Sequence, residues 1–213
     1  MAEVMVASGM FLLLMLVGLG TLQVIKRTGA QLKGRSVPRQ QLRALFLHLQ
    51  KQVHAANFIF DVNETVDFGS GYTHTYSGAP ESDPSLPGAS GLLVAIPEGA
   101  ESAPTYRLEG LFLQPDNTTD RAFDGAHSVV SAQVSNLVGT TPGSPADLPL
   151  SALPPNKLSV RSFQTASPVD GLKIHRSESG DGLIFEFMVG HKTEGEGLVF
   201  ETYTSHLTMR NNR

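Results

Sequence analysis

The sequence predicts an α+β protein: a long N-terminal helix carrying a C-terminal antiparallel β-sheet head. Three observations predict it. An uncharged, mainly apolar run extends from Val4 to Ile25 and stops at Lys26-Arg27. Apolar residues then recur at spacings of three and four, as Leu42, Leu45, Leu49, Val53 and Ala56, so they share one helix face. From Phe58 onward the spacing changes to the alternation of half-buried strands. It is clearest in Leu183-Ile184-Phe185-Glu186-Phe187-Met188-Val189.

The first element is a membrane-spanning segment of about residues 4–25. At about 1.5 Å per residue such a run makes a helix of roughly 33 Å, against a bilayer core of about 30 Å. A removed secretory signal has a shorter apolar core, a basic start and a small-x-small cleavage site. This run is longer and opens on an acid, Glu3. A loose small-x-small match, Thr28-Gly29-Ala30, follows two basic residues, which is the wrong flank. Glu3 lies almost at the tip of the membrane helix, where ionisable groups are costly and are functional candidates. A plain signal anchor, with Glu3 resting in the interface, is the competing reading.

The helix is expected to continue as a stalk to about residue 57. Ser36 and Pro38 suit a helix start, and a single long helix kinked at Pro38 is the alternative. Leu42, Leu45, Leu49 and Val53 form its packing face. The upper part is expected under the sheet, which needs a cover for its apolar side, and the lower part against partner helices.

Residues 58–213 are expected to form the head. Its β segments fall at about 58–68, 91–96, 105–114, 127–138, 157–164, 171–176, 182–189 and 197–209. Two stretches read as loops: 69–90, rich in Gly, Ser and Pro, and 140–156, with five prolines. The last two strands form a hairpin whose loop runs from Gly190 to Gly197. On the final strand Val199, Tyr203 and Leu207 share a parity that Glu201 and Ser205 interrupt.

Charge is unevenly divided. Residues 1–43 hold six Lys/Arg against Glu3, a balance of +5, and residues 44–213 hold ten basic against nineteen acidic groups, a balance of −9. An acidic head argues against nucleic acid as a partner. The basic patch follows the membrane run, next to anionic head groups or acidic neighbours. By the positive-inside rule it draws the head towards the cytoplasm. There is no cysteine, hence no disulfide framework and no thiolate metal site.

Catalytic motifs are absent from the sequence: there is no Gly-x-Ser-x-Gly elbow, His-Glu-x-x-His pair or phosphate-cradling Gly-Lys-Ser/Thr loop. No enzymatic reaction and no cofactor are expected. The seven histidines are scattered, and only His191 and His206, flanking the last hairpin, are placed to meet. Asp116, Asp120 and Asp124 offer oxygen ligands in one short stretch and are weak calcium candidates. Calcium takes about six to eight oxygens, and a polar turn with Asx hydrogen bonds is the plainer reading.

The N-terminus, Ala2-Glu3-Val4-Met5-Val6-Ala7-Ser8 and the apolar helix after it, resembles that of type IV pilins and of type II secretion pseudopilins. In that family the glutamate lies at the fifth position of the mature chain; Glu3 is two residues earlier here. Leu45 to Ala56 is similar to the second half of their stalk helix. Tyr203-Thr204-Ser205-His206-Leu207-Thr208-Met209-Arg210-Asn211 resembles the last strand of minor pilins and J-type pseudopilins. The resemblance implies a pilin-like fold. It implies a leader removed by a prepilin peptidase, methylation of the freed amine, and a bacterial inner-membrane helix with the head on the extracytoplasmic side. It also implies assembly with other pilins or pseudopilins, near a filament tip, through an ion pair between Glu3 and a neighbour's N-terminus. The alternative expectation is a single-pass envelope protein that binds a ligand or senses a signal without polymerising.

Overall fold

The computed structural model describes residues 2–78, 80–83, 85–99, 104–116, 125–141, 144–178, 182–193 and 197–209. Helix α1 runs from Ala2 to Ala55 as one element. Neither Ser36 nor Pro38 starts a second helix. A proline inside a helix costs about 3 kcal/mol. Just downstream, Leu42, Leu45, Leu49 and Val53 are all buried. Each fully buried Leu or Val contributes about 1.5–3 kcal/mol, which offsets that cost. The helix stops where its last turn meets the sheet: Ala56 N–H bonds Gln52 O, and Asn57 N–H bonds Ala95 O at 3.1 Å.

The described residues of the head form ten strands: β1 (Phe58–Ile59), β2 (Thr65–Asp67), β3 (Thr73–Thr75), β4 (Gly91–Glu98), β5 (Thr105–Pro115), β6 (His127–Leu137), β7 (Leu158–Ser167), β8 (Leu172–Arg176), β9 (Gly182–Thr193) and β10 (Gly197–Thr208). They make a five-stranded sheet in the order β1-β4-β5-β6-β7, a three-stranded sheet β10-β9-β8, and the hairpin β2-β3. Every pairing is antiparallel.

Three sequence boundaries change. The segment expected at 58–68 splits into β1 and β2, because the polar stretch Asp61 to Glu64 stays out of the ladder. The loop expected at 69–90 contains β3, which folds back on β2 through a turn with positive φ at Gly69, Ser70 and Gly71. Two glycines make that turn affordable. The final hairpin pairs without a break as far as Thr193↔Gly197, so its loop is shorter than Gly190–Gly197. The 140–156 stretch holds two short 3-10 turns, Pro145–Asp147 and Pro155–Lys157.

Two cores result, one on each face of the five-stranded sheet. Alternation assigns the faces. Leu92, Val94, Ile96, Leu111 and Val129 turn to the helix side, where they meet Leu42, Leu45, Leu49, Val53 and Ala56. The three-stranded sheet joins the same core with Ile174, Phe185 and Phe187, and Phe46 of α1 meets Phe187 edge-on at 5.4 Å. On the opposite face Leu93, Ala95, Leu108, Phe112, Val130 and Ala132 are covered by Phe60, Val66, Phe68 and Tyr76.

Candidate functional site

The N-terminal half of α1 is the first candidate. A window from Gly9 to Lys26, with mean hydropathy 1.8, is long and apolar enough to cross a membrane. Its described large apolar side chains are bare, with Leu16 at 72% and Ile25 at 66% exposure. Apolar residues at such density with nothing against them are unusual on a water-facing surface. The hydroxyls within and beside the run are satisfied internally: Thr21 donates to Gly18 O at 2.9 Å and Thr28 to Val24 O at 2.9 Å. That is the arrangement a helix needs where water is absent. Glu3 falls in the first turn of this helix.

The C-terminal half keeps the expected packing face together. Leu42, Leu45, Leu49 and Val53 are each 3% exposed or less and sit between the two sheets. Arg39, at the lower margin, reaches β10: its Nη2 lies 3.6 Å from Glu201 Oε2. Tyr203 donates its hydroxyl to the same carboxylate, and His191 Nε2 lies 3.9 Å from its other oxygen. The Tyr203 hydroxyl, then Arg39 and His191, hold the Glu201 carboxyl below the usual range. Glu201 therefore breaks the apolar parity because that parity faces the stalk, where its carboxylate ties strand to helix.

A second cluster, outside the expected sites, lies between α1 and the middle of the five-stranded sheet. His48 Nε2 lies 2.8 Å from Glu109 Oε1 and 2.9 Å from Ser131 Oγ. Ser131 donates to the same Glu109 oxygen at 2.6 Å. Arg161 Nη1 donates to His48 Nδ1 at 3.4 Å. An arginine only donates, so Nδ1 accepts and Nε2 carries the ring proton towards Glu109. Glu109 is 4% exposed, and its Oε2 has no partner among the described residues. A charge-assisted hydrogen bond of this kind contributes about 1.5–3 kcal/mol.

Ser, His and Glu here do not make an activated nucleophile. An activating base must accept the serine proton. Here that proton already points to Glu109, and the nearby imidazole nitrogen is itself a donor. The cluster is a brace between stalk and sheet. Beside it lies an open groove of about 600 Å3, lined by Leu47, His48 and Lys51 of α1 and by Arg107, Gln133, Ser159 and Arg161 of the sheet. One signal was available in the sequence: Arg107 and Glu109 share the parity of Leu111 and Leu113, and so place charge on a face that is otherwise apolar.

The remaining candidates separate. Asp116 follows β5 and accepts a hydrogen bond from Ser128; Asp120 and Asp124 lie outside the described residues. No cluster of three or more His, Asp or Glu suited to a metal occurs among the described residues. His191 pairs with Val199 and His206 with Ile184, so the two sit at opposite ends of the last hairpin and do not meet. An antiparallel hairpin brings together residues related by its register, not by their distance from the loop. Compared with known proteins, the chain matches no family model, no curated protein and no solved structure.

Proposed function

We propose that this chain is a structural subunit of the pilin-like kind, a minor pilin or minor pseudopilin with a pilin-like fold. It is held in a bacterial inner membrane by the first half of α1, with its head on the extracytoplasmic side. One observation carries the reading: a single helix has two differently clothed halves. Met10, Phe11 and the large apolar side chains from Met15 to Ile25 are bare, and Leu42, Leu45, Leu49 and Val53 are locked into the head. Such a helix transmits the position of its membrane end rigidly to the head. A filament assembled through stalk helices requires that property. Glu3, the only acid before the basic patch, supplies axial register by pairing with the N-terminal amine of a neighbour. At the edge of a hydrocarbon layer, leaving either charge without its partner is worse than in water.

The test is Glu3→Ala beside Glu3→Gln. Both variants remain in the membrane fraction, and both lose co-purification with sheared filaments or with partner subunits. Wild-type assembly by both variants removes the ion-pair role and leaves an anchored envelope protein as the better reading. Protease protection on membrane vesicles tests the side of the head; a head shielded on the cytoplasmic side sinks the pilin reading.

A further inference from the structure

We propose that the groove beside the stalk binds a carboxylate joined to an apolar group. The argument starts from charge. Three cations stand at the groove: Lys51, Arg107 and Arg161. Two carboxylates approach them, and both are engaged. Glu98 Oε1 pairs with Arg107 Nη1 at 3.0 Å, and Glu109 Oε1 is taken by His48 and Ser131. Lys51 and Arg161 are exposed, and neither has a carboxylate partner among the described residues. The groove therefore holds about one positive charge in excess, on a head whose balance over residues 44–213 is −9. A local reversal of sign within an acidic surface focuses anions at that place.

The size of the excess selects the anion. A monoanion is balanced by it, whereas a phosphate monoester carries about two negative charges and overshoots. The Arg161 guanidinium presents the planar fork that matches a carboxylate. Gln133 and Ser159 offer neutral hydrogen-bonding groups beside it. His48, Gln52 and Ser131 complete the polar part of the lining, and the apolar part is Ala44 and Leu47 from the helix, the latter 60% exposed, and Val160 from β7. A volume of about 600 Å3 is of the size that takes a small molecule or a few residues of peptide. A carboxylate on an apolar body fills both halves of this lining. Two sources have that chemistry, a free organic acid and the C-terminus of a peptide ending in an apolar residue.

The experiment uses the full chain in lipid nanodiscs at about 150 mM salt. Fluorescence polarisation follows a labelled tetrapeptide ending in Leu with a free carboxylate, and the same peptide with an amidated end is the control. Competitors are 4-methylpentanoate and inorganic phosphate. The expected result is saturable binding of the free-carboxylate peptide, weakened at least about tenfold by amidation and by Lys51→Glu or Arg161→Glu, with Arg161→Lys intermediate. Lys51→Glu sits on an exposed side chain outside the brace and keeps the wild-type melting temperature; Arg161→Glu also removes the contact with His48 Nδ1, so its binding is read at a temperature where its own melting curve shows it folded. Isothermal titration with 4-methylpentanoate reads the small acid directly; if it binds with the same dependence on Lys51 and Arg161 while the peptide does not, the proposal stands with a small acid as the source. Four results overturn it: no binding at millimolar concentration, equal binding of the amidated peptide, variants that bind like wild type, or phosphate competing as well as the carboxylate. The proposal is independent of filament assembly, since the Glu3 variants leave the groove untouched.

Discussion

The two faces of the five-stranded sheet are covered in opposite ways. A helix about 10 Å wide lies on one face. One cylinder leaves strips uncovered at its sides. The three-stranded sheet closes one strip with Phe185 and Phe187. The other remains as the groove over Arg107, Gln133 and Arg161. The opposite face is covered by a flat hairpin and its neighbouring segments, and it is closed. Phe68 stacks on Phe112 at 6.1 Å, His74 stacks on Phe112 at 5.0 Å, and Tyr76 meets Phe112 edge-on at 6.5 Å. The helix face holds polar groups and space; the hairpin face is filled with aromatic side chains. Both faces bury a core, and among the described residues the open groove lies on the first.

The largest expected effect is on the helix face. Leu49 is 3% exposed in the core shared by α1 and both sheets. Leu49→Asp puts an unpaired carboxylate there and is expected to abolish cooperative thermal unfolding of the head, a loss of several kcal/mol. Leu49→Ala is expected to cost about 2–5 kcal/mol. The matched change Leu16→Asp, on the bare half of the same helix, leaves the head's melting temperature unchanged and impairs membrane retention. Calorimetry with fractionation checks both. A Leu49→Asp protein that melts like wild type would show that the stalk merely rests on the sheet.

Next in size is Gly110→Ala, on the hairpin face. A Cβ built there meets Tyr76 Oη at 2.2 Å and the Phe68 ring at 2.5 Å. Tyr76 and Phe68 are both buried, so neither has room to swing aside. Overpacking of this kind costs about 1–3 kcal/mol, and denaturant unfolding is expected to show it. Gly110 is thus a packing glycine: the hairpin approaches the sheet closely because β5 has no side chain at that point.

These faces differ in how far the sequence disclosed them. The stalk face was readable because helical period alone groups Leu42, Leu45, Leu49 and Val53, and all four are buried. Strands β4 to β10 fall close to the expected segments, but alternation was clear only in β9 and β10; β4 to β6 are buried on both faces and read as apolar runs. The hairpin β2-β3 was missed: three-residue strands of Thr, Asp and His carry little apolar signal, and pairing across a tight turn decides them. The brace was missed because its members come from four elements, α1, β5, β6 and β7. Only the register that sets Glu109 beside Gln133 and Ser131 beside Arg161 brings them together.

A third effect is pH-dependent and belongs to the hairpin face. Burial lowers the His74 pKa to about 4, and its Nε2 has no hydrogen-bond partner among the described residues. The unfolded chain protonates the same imidazole at about 6.5. Between these values the unfolded state binds more protons, so the head loses stability as pH falls from about 6.5 towards 4. With solvent screening of the partly exposed ring, the loss is about 1–2 kcal/mol. Above about 6.5 this group contributes no slope. Urea midpoints measured across that range check it, with His74→Leu as the control whose slope flattens in the same window. An unchanged slope in that variant assigns the acid sensitivity elsewhere, with Glu201 as the next candidate, since its lowered carboxyl loses its contribution as pH falls through the acid range.

The smallest effect tests how tightly the closed face is filled. The Tyr76 hydroxyl is buried without a hydrogen-bond partner among the described residues, and burial raises its pKa well above the ordinary tyrosine value. Removing an unsatisfied buried hydroxyl is nearly neutral or stabilising. Tyr76→Phe is therefore expected to hold or raise stability, by no more than about 1 kcal/mol. The same oxygen is the nearest atom to a Cβ at residue 110. Tyr76→Phe should then recover part of the Gly110→Ala loss, with a coupling of at least about 0.5 kcal/mol in a double-mutant cycle. Strict additivity would place the strain of Gly110→Ala on Phe68 alone, the other ring within 3 Å of that position. Destabilisation by Tyr76→Phe alone, beyond about 1 kcal/mol, would mean that the hydroxyl has a partner such as a buried water, and that the hairpin face is less dry than its aromatic packing implies.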